Sequence, residues 1–174
     1  WDVVTGIHCP QSLSFNFEQL MELTRMAAAV TKQLAPRSTV VVDLVTPSAA
    51  RDVLRARFGA PGSTPLVALL PGSRTNELHA ILPDMARAAA LVRDRVPDVR
   101  FVLARAPRLA ENLFEPLAEH APGLDITVLD SATDDVLAAA DVAITASGTA
   151  TVQTALHECP MVIVYRLSAL TYRL

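Results

Sequence analysis

Lysine, cysteine and glycine are scarce in this sequence. The 174 residues include one lysine against 14 arginines, two cysteines and six glycines. Cys9 and Cys159 are far apart and form no Cys-x-x-Cys pair, which argues against a disulfide scaffold or a zinc finger. The formal net charge is −3, whereas a general nucleic-acid binder is normally basic. No nucleic-acid partner is therefore expected.

Long apolar runs are absent as well. No stretch approaches the about 20 apolar residues that a membrane-spanning helix requires, and no signal peptide is visible in the sequence as given. Two unpaired cysteines are typical of the cytoplasm. The 28 alanines and the excess of arginine indicate a high-GC, bacterial genome. The chain begins with Trp1 and not with methionine, so we expect it to be a piece of a longer protein.

The sequence is rich in apolar residues: they make up 51% and charged residues 19%, so we expect a packed core and no disorder. Short apolar runs predict five strands, at 66–70, 100–104, 126–129, 142–146 and 161–164. Periodic patterns between them predict helices, at 77–96, through Leu109 to Leu117, at 134–140 and at 149–157. Strands that alternate with helices predict a doubly wound parallel sheet of the α/β class.

Several local signals refine this prediction. Pro83 is expected to kink or restart the first long helix, and Thr133 or Asp134 to cap the helix that follows the third strand. Before the first strand, 49–58 reads as a helix that ends at Gly59. Residues 1–45 indicate a strand, a helix and a strand, and remain an unassigned N-terminal segment.

Two loops of small and polar residues follow strands, at 71–76 and 146–151. In the first, Gly72 permits close approach of a ligand, while Ser73 and Arg74 supply donors suited to phosphate. The alternative is an ordinary tight turn that carries a solvated arginine.

The second loop, 146–151, reads ASGTAT and is neither a Walker A motif nor a dinucleotide fingerprint. The alternative here is a plain N-cap by Ser147 or Thr149. Because ligands of such sheets lie outside the carboxyl ends of the strands, the two loops together suggest a pocket for a phosphorylated ligand. Gln153 follows on the next helix, where its amide is suited to sugar hydroxyls or is simply at the surface. The four histidines have no metal-ligand spacing.

Three segments resemble lipid-A-disaccharide synthases. LLPGSRTNEL at 69–78 is similar to that family's LLPGSR-x-x-E-[IL] segment, ASGTATVQTAL at 146–156 to its SGTATLEAAL segment, and CPMVIVYR at 159–166 to its PMVV-x-YR segment. The resemblance covers residues 51–174. It implies a Rossmann-like GT-B donor domain over 46–174, truncated at its C-terminus, that binds a nucleotide sugar without a metal or other cofactor.

The resemblance also implies an activity in lipid A biosynthesis. That family transfers diacylglucosamine from UDP-2,3-diacylglucosamine to 2,3-diacylglucosamine 1-phosphate and releases UDP. The resemblance assigns the diphosphate to one group of residues and the rest of the cleft to another. The first group is Gly72, Ser73, Arg74, Ser147, Gly148 and Thr149, and the second is Gln153, Tyr165 and Arg166. Arg74 would be the catalytic residue, because its charge would stabilise the departing UDP.

The sequence also departs from the family's pattern. Gln153 stands where the family has a glutamate, and an amide is a weaker acceptor for ribose hydroxyls. The Gly-Glu-x-Ser-Gly-Asp type of motif of the acceptor half is absent, so we expect the chain to be incomplete for transfer. A noncatalytic nucleotide-sugar-binding module and a UDP-sugar epimerase-like domain stay open as alternatives. The expected partners are a UDP-sugar donor and a lipid acceptor, and peripheral contact with the inner membrane and a homodimer also stay open.

Overall fold

The computed structural model describes residues 47–166. The helices are α1 (Arg51–Arg57), α2 (Thr75–Arg95), α3 (Glu115–His120), α4 (Thr133–Ala139) and α5 (Thr149–Leu156), and a 3₁₀ turn at Glu111–Phe114 precedes α3. The strands are β1 (Leu66–Leu70), β2 (Arg100–Arg105), β3 (Ile126–Asp130), β4 (Val142–Ala146) and β5 (Met161–Val164). The predicted strand–helix–strand segment of residues 1–45 lies outside the described residues.

The five strands form one sheet in the order β3-β2-β1-β4-β5. All four pairs of neighbouring strands are parallel. The chain winds outward from β1 to β3 and then returns to β4 on the other side of β1, so the strand order reverses between β1 and β4. This arrangement confirms the predicted doubly wound α/β sheet, and its order is that of the Rossmann-like folds.

Apolar side chains fill both faces of the sheet. On one face, α2 and α3 cover alternate strand residues such as Leu69 and Phe101. On the other face, α1 and α4 cover Ala68 and Val102. All five residues of β1 are buried, which explains why its sequence is continuously apolar rather than alternating.

The apolar periodicity of Leu109, Leu113 and Leu117 does not produce one helix, and this prediction was wrong. A 3₁₀ turn covers Glu111–Phe114, and a separate α-helix begins at Glu115. Pro116 stands in the first turn of that helix. Proline has no N–H to continue a preceding helix, but it is tolerated where a helix begins.

Two further local expectations were wrong: a restart of the helix at Pro83, which was the alternative to a kink, and a side-chain cap at the start of α4. The helix α2 does not restart at Pro83, which lies inside the single helix Thr75–Arg95. Neither Thr133 nor Asp134 caps α4, because the N-cap residue is Ala132 and makes no side-chain cap hydrogen bond. The end of α1 does follow the prediction, since Gly59 comes just after Phe58 with a φ of 71°.

A buried arginine ties α1 to the amino ends of the strands. Arg55 is 4% exposed and donates to both carboxylate oxygens of Asp141 at 3.0 and 3.1 Å. Asp141 precedes β4 and also accepts the backbone N–H of Leu66, the first residue of β1, at 2.9 Å. This group therefore lies at the edge of the sheet opposite to the two loops described below. Among residues 47–166, no helix has the length and apolar character needed to span a bilayer.

Candidate functional site

The two predicted loops meet at the point where the strand order reverses. Residues 71–74 follow β1, and Ser147 and Gly148 follow β4. These strands are neighbours in the sheet, with Leu70 beside Thr145 in register. In open parallel sheets, ligands bind in the crevice that such a reversal opens at the carboxyl edge. The topology therefore brings both loops to the place where a ligand is expected.

Gly72 has a backbone conformation that favours glycine and lies close to Ala146, the last residue of β4. Its φ is 101°, a backbone conformation that glycine adopts far more easily than other residues. A Cβ at this position would lie 3.6 Å from the Cβ of Ala146 and 3.0 Å from Oε2 of Glu77. The backbone angle therefore favours glycine here, and a larger residue would also have to move the carboxylate of Glu77 by a few tenths of an ångström.

Ser73 and Arg74 are exposed beside Gly72. Arg74 is the N-cap residue of α2, and its side chain is 79% exposed. Its Nη1 donates to Oε1 of Glu77 at 2.6 Å. The guanidinium has further N–H groups that this contact does not use, so Glu77 can hold Arg74 while the rest of the fork contacts an anion.

The second loop presents the beginning of α5. Gly148 is the N-cap residue, with φ 148° and ψ −151°, a region that is essentially restricted to glycine. No side chain caps this helix, so the predicted alternative of a cap by Ser147 or Thr149 was wrong. The hydroxyl of Thr151 donates back to the carbonyl of Gly148 at 2.6 Å.

The residues of this loop differ in what they offer to a ligand. The N–H of Ser147 donates to the carbonyl of Val164 in β5 at 3.0 Å, so it is already used within the fold. Ser147, Gly148 and Thr149 are all exposed. A helix start without a side-chain cap attracts anions through its N–H groups and its dipole.

Gln153 lies in the second turn of α5 and contacts the neighbouring helix. Its Nε2 donates to Oδ1 of Asp134, in the first turn of α4, at 3.1 Å. Nε2 of His157 lies 2.9 Å from the same carboxylate oxygen. The structure therefore places Gln153 in a polar group that joins α4 to α5.

Tyr165 and Arg166 follow β5 and are both exposed. Nη1 of Arg166 donates to the carbonyl of Ala80 in α2 at 3.1 Å and lies 3.4 Å from Oδ2 of Asp84. The last predicted site residue is thus attached to α2, the helix that begins at Arg74.

A cavity of about 620 Å³ lies elsewhere, between α3 and β3. Its lining includes Phe114, Leu117 and Val128, and none of its lining residues belongs to either loop. We assign the candidate site to the loops because strand topology, glycine geometry and exposed donors coincide there.

Cys159 is buried, and burial raises the pKa of its thiol to about 12, so it has no nucleophilic character at neutral pH.

Two residues of this region were not predicted from the sequence as part of the site. Glu77 holds Arg74 and lies against Gly72. Its spacing of three residues from Arg74 on a helix could have indicated the pair. The sequence indicates Asp134 only as a residue at the start of a helix, and its separation of 19 positions from Gln153 gives no local signal of their contact.

The fold and the site place this chain in the class of Rossmann-like α/β domains with two glycine-containing loops at the reversal point of the sheet. The match to known proteins is more specific. Residues 40–174 match the family model described as lipid-A-disaccharide synthetase. The chain belongs to this family.

Individual relatives agree with that assignment. The chain is 46% identical over 136 residues to a lipid-A-disaccharide synthase of Thiobacillus denitrificans, which is 77% of this chain and 36% of the relative. It is 40% identical over 133 residues to the synthase of Geobacter sulfurreducens, covering 76% and 34%. For Coxiella burnetii the identity is 37% over 127 residues, covering 73% and 33%. The chain thus spans about one third of the length of these relatives.

Proposed function

We propose that this chain is the nucleotide-sugar-binding part of a glycosyltransferase of lipid A biosynthesis. Its donor would be UDP-2,3-diacylglucosamine, and its acceptor 2,3-diacylglucosamine 1-phosphate. Residues 46–174 would form a GT-B donor domain. The general base and the acceptor site would belong to the rest of a longer protein, so this chain alone would bind the donor without completing the transfer.

One observation carries the proposal: the loops after β1 and β4 converge at the reversal point, with Gly72 packed beside Ala146. One loop carries Ser73 and the permanently charged Arg74, and the other carries the start of α5 without a side-chain cap. A bound diphosphate would contact the guanidinium of Arg74 on one side and the N–H groups at the start of α5 on the other. The family membership independently supports UDP as the nucleotide.

The chemistry proposed for Arg74 follows from the charge of the leaving group. In the transfer, the bond between the anomeric carbon and the β-phosphate oxygen breaks, and the acceptor hydroxyl forms the new glycosidic bond. Negative charge then accumulates on the departing UDP. A guanidinium near this diphosphate stabilises that charge more strongly in the transition state than in the ground state. Ser73, Ser147, Gly148 and Thr149 would hold the diphosphate in place.

The surroundings of this site would supply the remaining contacts. Tyr165 and Arg166 would line the cleft from the end of β5, and Gln153 would contact the ribose. Because both proposed substrates carry acyl chains, we also propose that the protein acts at the cytoplasmic face of the inner membrane, through peripheral contact.

The experiment is a calorimetric titration of the 174-residue chain with UDP, compared with its Arg74→Ala variant. A hydrogen bond to a charged group contributes about 1.5–3 kcal/mol, so we expect roughly 10- to 100-fold weaker binding by the variant. Arg87→Ala is the matched control, because Arg87 lies in α2, is exposed like Arg74 and likewise forms an i,i+3 ion pair, with Asp84 at 2.8 Å. Equal UDP affinity of Arg74→Ala and Arg87→Ala would refute the assignment of Arg74.

The amide at position 153 favours a second candidate, a noncatalytic module that binds a nucleotide sugar. This alternative also predicts UDP binding, so affinity alone does not separate the two. Incubation of the chain with both lipid substrates separates the two candidates if the disaccharide forms. Formation of the disaccharide by the chain would exclude the noncatalytic module and would also show that the proposed incompleteness is wrong.

A further inference from the structure

Asp134 connects two residues of the neighbouring helix through a single oxygen. Its Oδ1 accepts from Nε2 of Gln153 at 3.1 Å and lies 2.9 Å from Nε2 of His157. The side chain of His157 is 5% exposed and that of Asp134 is 27% exposed. Asp134 therefore faces α5 and not the solvent beyond the start of its own helix.

This contact determines which way the amide of Gln153 is turned. A carboxylate oxygen accepts hydrogen bonds and cannot donate them, so the nitrogen of the amide must face Asp134. The amide oxygen then points away from Asp134. The contact with Asp134 therefore uses the donor of the amide and leaves its acceptor for another partner.

We infer that Asp134 is a positioning residue, which turns Gln153 so that its Oε1 accepts a hydrogen bond from a ribose hydroxyl of the nucleotide. The inference rests on the proposed function, because it requires UDP at the adjacent loop. Asp134 acts through Gln153 and does not itself contact the ligand. Its role is to keep the acceptor in one orientation, which saves the entropy of fixing a mobile amide on binding.

The same contact explains why an amide suits position 153 in this chain. A glutamate there would bring a second carboxylate to within about 3 Å of Asp134, and like charges at such a distance disfavour each other strongly. With glutamine, the negative charge belongs to Asp134 and the acceptor for the ribose belongs to residue 153. The pair thus divides between two residues what a single carboxylate would otherwise supply.

The experiment compares the affinities of UDP, 2′-deoxy-UDP and 3′-deoxy-UDP by calorimetry. For the unaltered chain, we expect at least one deoxy analogue to bind roughly three- to tenfold more weakly than UDP, the loss of one neutral hydrogen bond. In Asp134→Ala this difference should disappear, because the amide is no longer held. Binding of the diphosphate should persist in that variant.

Two further variants separate positioning from a merely structural role. His157→Ala removes the other partner of Asp134 and should leave the difference between UDP and its analogues unchanged. The exchange Asp134→Asn with Gln153→Glu places a donor amide at 134 and an acceptor carboxylate at 153. It should therefore restore the preference that Asp134→Ala loses. If Asp134→Ala fails to fold, the exchange variant and Gln153→Ala still give the comparison.

Three results of these titrations would overturn the inference. If Asp134→Ala is folded and discriminates between UDP and the deoxy analogues as the unaltered chain does, the inference is overturned. It is also overturned if the unaltered chain binds all three nucleotides equally. If UDP does not bind at all, the proposed function fails first, and the inference fails with it.

Discussion

The substitution of Arg55 should cause a large loss of unfolding free energy, because its side chain is nearly fully buried and has several hydrogen-bond partners. Its Nη1 contacts Asp141 and the carbonyl of Ala139 at 2.9 Å, and its Nη2 donates to the carbonyls of Gly62 and Thr64 at 3.1 and 2.6 Å. The substitution Arg55→Ala would remove these donors at once. The carbonyls that it leaves behind would then be short of partners.

The expected loss of unfolding free energy depends on the hydrogen bonds that Asp141 keeps after the substitution. Loss of one partner from a buried ion pair typically costs about 3–5 kcal/mol. Here Asp141 would keep the N–H of Leu66 at 2.9 Å and Nη2 of Arg51 at 2.6 Å. In addition, Nε of Arg55 is buried without a hydrogen-bond partner, which already reduces what this residue contributes. We therefore expect the lower end, about 3 kcal/mol.

Urea denaturation of the 174-residue chain measures this loss. With a slope of about 2 kcal/mol per molar urea, the midpoint should fall by roughly 1.5 M. Arg51→Ala is the matched control, since Arg51 pairs with the same carboxylate but is 46% exposed. It should lose only about 0–1 kcal/mol. Equal midpoints for the two variants would refute the reasoning that burial, and not the charge pair itself, determines the cost.

Two other predictions concern the loop and the pH dependence. Gly72→Ala should weaken UDP binding, because its Cβ would displace the Glu77 carboxylate that holds Arg74. The control is Gly59→Ala: φ of Gly59 is also positive, but no atom lies within 4 Å of an added Cβ. This variant should lose about 1 kcal/mol of stability and keep its UDP affinity. Equal UDP affinities of the Gly72 and Gly59 variants would contradict the role of Gly72. Partial burial alone would raise the pKa of Asp135, but hydrogen bonds from the hydroxyl and N–H of Ser48 lower it below 3.8. The stabilisation is therefore present above pH 3.8 and is lost as the pH falls through the lowered pKa. Ser48→Ala should reduce the unfolding free energy at pH 6 by less than about 1 kcal/mol, and by less still at pH 2. A difference between the two proteins that is the same at both pH values in urea titrations would argue against this pair.

The strands were predictable because each is a short apolar run. The segment LVALL at 66–70 and the segment VAITA at 142–146 are buried throughout, and continuous apolar sequence is what a strand covered on both faces requires. The order of the strands was beyond the sequence pattern. The reversal between β1 and β4, which positions the two loops, depends on contacts between residues far apart in the chain.

The failures concern proline and helix starts. A 3₁₀ turn that ends at Phe114 is followed by α3, which begins at Glu115 and has Pro116 in its first turn, although the leucine spacing alone indicated one helix. Pro83 was tolerated inside α2, where packing of the helix against the sheet outweighs one lost hydrogen bond. Both outcomes depend on tertiary context that periodicity does not contain.

For the candidate site, the loop residues could be found from their types and their positions after strands. Their partners could not. Gln153 contacts Asp134 and Arg166 contacts Ala80, and each pair joins elements that are distant in sequence. Local patterns identify which residues have suitable chemistry, whereas the fold decides which of them are held and by what.

We propose that UDP binds between the loops after β1 and β4. The most direct test is an NMR titration of the ¹⁵N-labelled chain with UDP, observed through the backbone amides. We expect the largest chemical-shift changes at residues 72–74 and 147–149. Shifts confined to the cavity between α3 and β3, or no shifts at all, would contradict it.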